Sequence, residues 1–243
     1  MNLLQTKALV VFAAAGMVVG ANATFRTVTV NNPPQNNAGG KINSVTATTT
    51  GTEFSWYANF SNNPSGKMTN GYWVVVSPGA NPKGHAGELA IFYMDASGAT
   101  PTLTAYAYNG QNGNSSWAVP GDKILSSKRA SDLPDILDLT NQTESNGSKT
   151  IGFKIKSAKV NNFVPANPGS TPWTGANFGN EIGIWFHPVV ELSSGYNSSG
   201  FLTKWNYKAE GWYDAEHVKT VPEPATLGAL ALGAAVVLRR RKK

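Results

Sequence analysis

The chain has 243 residues, a formal net charge of +6 and no cysteine. The cysteine count excludes disulfides, thiol nucleophiles and cysteine-based zinc sites. Lys7 and the run Arg239, Arg240, Arg241, Lys242 and Lys243 hold six of the cations, so residues 24–221 are close to neutral and leave no nucleic-acid footprint.

Met1 to Ala23 places Lys7 ahead of an apolar run, Ala8 to Val19, and closes on Ala21-Asn22-Ala23. A charged start, an apolar stretch of that length and small residues two apart predict a secretory signal peptide cleaved after Ala23.

Beyond it the pattern is β. Phe25 to Val30 alternates, and Glu53 to Phe60 puts Phe54, Trp56, Ala58 and Phe60 on one face. Tyr72 to Val76 and Leu89 to Met94 are unbroken apolar runs, which predicts strands covered on both faces. Thr102 to Tyr108 alternates again. Ile151, Phe153 and Ile155 alternate with Gly152, Lys154 and Lys156. Ile182 to Phe186, Phe201 to Ala209 and a stretch through Trp212 and Tyr213 complete the strands. Between them lie clusters of Asn, Gly, Pro and Ser: Asn31 to Gly40, Asn62 to Gly66, Ser77 to Gly84, Asn109 to Ser116 and Asn161 to Asn180. Only Ser131 to Leu139 reads as a short helix, with Pro134 in its first turn and Ser131 or Asp132 as its cap. Many short strands without a fixed repeat predict an all-β fold, a single β-sandwich of jelly-roll or Ig-like topology, over residues 24–217. Asn31 to Gly40 and Val218 to Val221 are its expected hinges.

The tail, residues 218–243, has three parts. Pro222-Glu223-Pro224 keeps the chain extended and blocks a helix from growing backward. Ala225 to Leu238 is uncharged and has no polar face, so it is not a surface helix. At about 21 Å it is short for a hydrocarbon core of about 30 Å. The basic run 239–243 lengthens its reach by snorkelling and sits where a cytoplasmic end belongs. Residues 225–238 are therefore expected to be a transmembrane helix.

This order of parts resembles the PEP-CTERM sorting signal of Gram-negative bacteria. The resemblance implies that Pro222, Glu223 and Pro224 are read by an exosortase, an integral-membrane enzyme that processes the protein on its way to the surface. It also implies an association with extracellular polysaccharide and biofilm matrix, and transient anchoring in the inner membrane. It covers the tail alone and leaves the central domain unassigned.

Chemistry inside the domain is sparse. His85, His187 and His217 stand at no metal-ligand spacing, and no nucleophile elbow is present. A glycosidase pair would come from Glu53, Glu88, Asp95, Glu181, Glu191, Glu210 or Asp214. Asp132, Asp135 and Asp138 are spaced for weak calcium binding or for a helix start. No catalytic residue, metal or cofactor is expected. Trp117 and Trp173 lie in polar loops, where an indole suits stacking on a sugar ring. The sequence thus predicts a non-enzymatic surface or matrix protein with a structural or adhesive role that involves polysaccharide. The alternative is an extracellular hydrolase of polysaccharide.

Overall fold

The computed structural model describes residues 25–77, 86–109, 115–118, 122–165 and 175–222, with backbone alone at 86–89, 109 and 222. Its strands are β1 Arg26–Asn31, β2 Lys41–Thr49, β3 Glu53–Ser61, β4 Gly71–Ser77, β5 Ala86–Asp95, β6 Thr102–Asn109, β7 Lys123–Ser126, β8 Ile136–Thr143, β9 Lys149–Lys156, β10 Glu181–Val190, β11 Ser193–Tyr196, β12 Leu202–Asn206, β13 Ala209–Glu210, β14 Tyr213–Lys219 and β15 Val221–Pro222. The single α-helical turn among the described residues is α1, Ala158–Asn161. The fold is all-β, as the alternation predicts.

One antiparallel sheet runs β15-β1-β2-β3-β9-β8. A second runs β10-β4-β5-β6-β7, with β13 and β14 following one another along the free side of β10. β11 and β12 form a separate hairpin. The apolar stripe of β3 meets the second sheet directly. Phe54 stacks on Phe92 with centroids 5.3 Å apart, and Trp56 meets Phe186 edge-on at 5.0 Å. These side chains and Ile151, Phe153 and Ile155 of β9 belong to one buried cluster shared by both sheets. Complete burial of each large apolar side chain there contributes about 1.5–3 kcal/mol.

The second sheet is covered again on its other face. Trp73, Val75, Ile91, Tyr93, Tyr106, Tyr108 and Trp185 form a second cluster, closed by Phe201, Leu202 and Trp205 from the β11–β12 hairpin. This explains the unbroken apolar runs of β4 and β5: Tyr72 to Val76 and Ala90 to Met94 are buried on both faces. The first sheet is different. Its outer face carries Thr27 opposite Thr48 (Oγ1 to Oγ1 3.1 Å), and Asn59 Nδ2 donates to Thr150 Oγ1 at 3.0 Å.

Four local expectations are corrected. Residues 131–139 are not a helix: Leu133–Asp135 makes one 3-10 turn, and Ile136 then enters β8, paired with β9. The ladder with β9 and the packing of Ile136 and Leu139 on the shared core outweigh the helix-start signal. Residues 201–209 do not form one strand, because β12 ends at Asn206 and β13 belongs to a different sheet. Asn31 to Gly40 is no hinge. Asn36 and Trp212 exchange backbone hydrogen bonds at 3.0 Å, and a Cβ at Gly39 would lie 1.9 Å from Pro188 O. Pairing also continues past residue 217. β14 reaches Lys219, and β15 places Val221 against Thr27 and Pro222 against Arg26.

Candidate functional site

β10 turns Trp185, His187 and Val189 toward the second cluster and Ile184 and Phe186 toward the shared core. Its pairing with the strands that follow sets Trp185 against Asp214 and Val189 against Glu210. His187 therefore falls between two carboxylates. Nδ1 is 3.3 Å from Glu210 Oε1, and Nε2 is 3.4 Å from Asp214 Oδ1. Both are ion-pair contacts without hydrogen-bond alignment. Below the imidazole lies Trp73, with centroids 4.0 Å apart and planes 16° from parallel. Trp73 Nε1 donates to the same Glu210 Oε1 at 3.0 Å.

Burial of the ring favours neutral His187. The flanking carboxylates of Asp214 and Glu210 outweigh it and hold the imidazole above its ordinary pKa. The His187 side chain is only 13% exposed, and it occupies the space between the carboxylates where a paired acid and base would need water or a sugar. The arrangement is an acid–histidine–acid clamp on an aromatic floor.

Glu210, Trp212 and Asp214 alternate along one edge, so Trp212 stands on the same face as the clamp. Its side chain is 44% exposed, the largest exposed aromatic among the described residues. In the sequence Trp212 reads as part of a strand. The signal available was period two: an acid, an indole and an acid at alternate positions share one face.

The other candidates separate. Trp117 is half-buried and packs against the second cluster, and its backbone N–H donates to Tyr93 Oη at 3.3 Å. Trp173, His85, Ala23, Glu223 and Pro224 lie outside the described residues, as does the expected helix 225–238, and the side chain of Glu88 is not described. No helix among the described residues is long and apolar enough to cross a membrane.

Most remaining acids have partners of their own. Glu53 pairs with Lys154 at 2.6 Å, Glu181 with His217 at 3.2 Å, and Glu191 with Lys67 at 3.4 Å. Asp95 accepts from Ser97, Ser194 and Tyr196 and fixes the β11–β12 hairpin to the end of β5. The three spaced aspartates do not converge on one point. Asp132 is fully buried and accepts from Arg129 Nε at 2.6 Å, Ser126 N at 2.8 Å and Lys159 Nζ. Burial would raise its pKa, but these donors outweigh burial and hold the carboxyl below the usual range. Asp135 also meets Lys159, at 3.2 Å, whereas Asp138 accepts from Tyr57 Oη at 2.9 Å.

The C-terminal junction is the other functional element. Thr220 N–H and Oγ1 both donate to Asn180 O, at 2.8 and 2.9 Å, and Val221–Pro222 closes the edge beside Arg26 and Thr27. A family model of the PEP-CTERM protein-sorting motif matches residues 220–242. The chain thus carries that sorting motif, whose first residues are strand-paired to the domain. The motif implies export and an exosortase as processing partner. No curated protein and no solved structure matches the chain.

Proposed function

We propose that this is a cell-surface or extracellular-matrix protein, delivered by an exosortase and serving a structural or adhesive role without catalysis. The sorting motif at residues 220–242 carries this reading. In it, residues 1–23 are a cleaved signal peptide and the two facing sheets form a β-sandwich. Residues 225–238 hold the chain in the inner membrane until Pro222-Glu223-Pro224 is processed.

The clamp supports a non-catalytic role. His187 fills the gap between Glu210 and Asp214, where the hydrolase alternative needs an open cleft. Saccharide contact belongs to the edge formed by Glu210, Trp212 and Asp214, where an exposed indole face lies between two hydroxyl acceptors. No cofactor enters this function.

Fractionation of the native host tests the proposal. Wild-type protein is expected at the surface or in the matrix, and Glu223→Ala is expected to accumulate in the inner membrane. Equal surface yields of both would overturn the exosortase reading.

A further inference from the structure

Among the described residues the two large sheets end in four strand edges, and three of them are closed or guarded. At β7, the segment that follows takes the backbone groups: Ser126 N–H donates to Asp132 Oδ2 at 2.8 Å, and Arg129 Nη2 donates to Ile124 O at 3.2 Å. β14 carries Asp214, Glu216, His217 and Lys219, a charge density that opposes strand addition. β1 is covered by β15 at Arg26 and Thr27, and its sequence runs on into Pro33-Pro34.

Among the described residues the backbone of β8 has no such protection, the nearest segment being held by the Asn141 side chain alone, whose Nδ2 donates to Ala96 O and Gly98 O at 3.2 Å. Glu144 N–H donates to Ser148 O at 2.8 Å, which fixes the hydrogen-bonding phase of the β8–β9 hairpin. Residues 138, 140 and 142 then bond to β9, and Leu139, Asn141 and Thr143 point their N–H and C=O groups outward. Those outward groups have no backbone partner among the described residues. A bulge disturbs only the start of the strand, between Ile136 and Asp138, and the register from Asp138 to Thr143 is unbroken. The one charge of the strand, Asp138, is drawn aside by Tyr57 Oη at 2.9 Å and Thr140 Oγ1 at 2.6 Å. Leu133 and Leu137 are 52% and 41% exposed beside it.

We propose that β8 is a homotypic docking edge, paired antiparallel with β8 of a second copy of this chain about a two-fold axis. The pairing deepens the structural role proposed above by naming its partner, and it joins two six-stranded sheets into one. Charge limits the register of that self-pairing. A two-fold centred on Asp138 sets that carboxylate against itself, and one centred on Asn141 sets Asp138 against Glu144. Centred on Thr140, no like charges oppose, the outward groups of Leu139 and Asn141 find one another across the axis, and Thr140 faces its own copy. The near-neutral domain adds little repulsion between copies.

The absence of cysteine provides a clean test. Thr140→Cys on β8 and Thr29→Cys on the outer face of β1 are introduced singly into the full chain, expressed in the native host and oxidised. A disulfide-linked dimer is expected for Thr140→Cys well above the level for Thr29→Cys. Adding Leu137→Lys is expected to bring the Thr140→Cys dimer down to the control level without moving the melting temperature. Equal cross-linking of the two cysteine variants, with wild-type protein sedimenting as a monomer, would overturn the proposal. Cell fractionation of the same cultures reads export separately, so failed pairing and failed sorting give different results.

Discussion

Trp73 lies flat on His187, ring on ring at 4.0 Å, while its indole N–H holds Glu210 against the same imidazole. One residue thus supports the cation from below and positions one of its counter-ions. Protonated His187 is favoured by both carboxylates and by the π face. Its folded pKa is raised above the unfolded value, so its contribution to stability is fully present below about pH 6.5. That contribution is lost as pH rises through the elevated folded pKa. Thermal melts from pH 5 to 9 are expected to decline across that window in wild type. In His187→Gln the decline should flatten, and an unchanged profile would remove the clamp from the account.

Asp132 ties β7 to α1 through Arg129 and Lys159. Its folded pKa is lowered, so its stabilisation is present above the unfolded value of about 3.9 and is lost as pH falls through the folded one. Asp132→Asn removes the charge beneath two cations that are partly open to solvent. A loss of about 1–3 kcal/mol is expected from denaturant melts at pH 7, shrinking at acid pH, because the cations left behind are partly solvated and Lys159 keeps Asp135. A variant as stable as wild type at neutral pH would contradict this.

The fold was legible where periodicity was clean. The stripe Phe54-Trp56-Ala58-Phe60 and the unbroken runs in β4 and β5 identified the one-sided and two-sided strands. β2 escaped because a bulge between Ile42 and Ser44 breaks its alternation and its buried face includes the small residues Ala47 and Thr49. Residues 131–139 misled because Pro134 and spaced acids mimic a helix start. Asp132 instead satisfies the β7 backbone and two cations. His187, Glu210 and Asp214 were each visible as candidates but not as a cluster. More than twenty positions separate His187 from Glu210, and only the register of β10 with β13 and β14 brings the three together.

Gly152 lies beneath the ring of Tyr57 on the outer face of the first sheet. A Cβ there would meet Tyr57 Cδ1 at 2.3 Å and Trp56 O at 2.6 Å. Gly152→Ala is expected to displace Tyr57 from Asp138 and to cost about 1–3 kcal/mol by overpacking. Calorimetry of the two proteins checks it, and equal melting temperatures would refute it.

Trp212 and Trp117 should respond in opposite ways. Trp212→Ala is expected to weaken retardation in gels containing the host's exopolysaccharide and to leave the melting temperature within about 1 °C, as for surface changes. Trp117→Ala removes packing from the second cluster and is expected to lower stability. Unchanged retardation of Trp212→Ala would take polysaccharide off this edge.

Intact-mass spectrometry of the surface-exposed protein tests the central claim most directly. The expected product begins at Thr24 and lacks the apolar and basic segments 225–243, with the untrimmed tail kept in a host lacking its exosortase. A surface form carrying every residue to Lys243 in both hosts would contradict it.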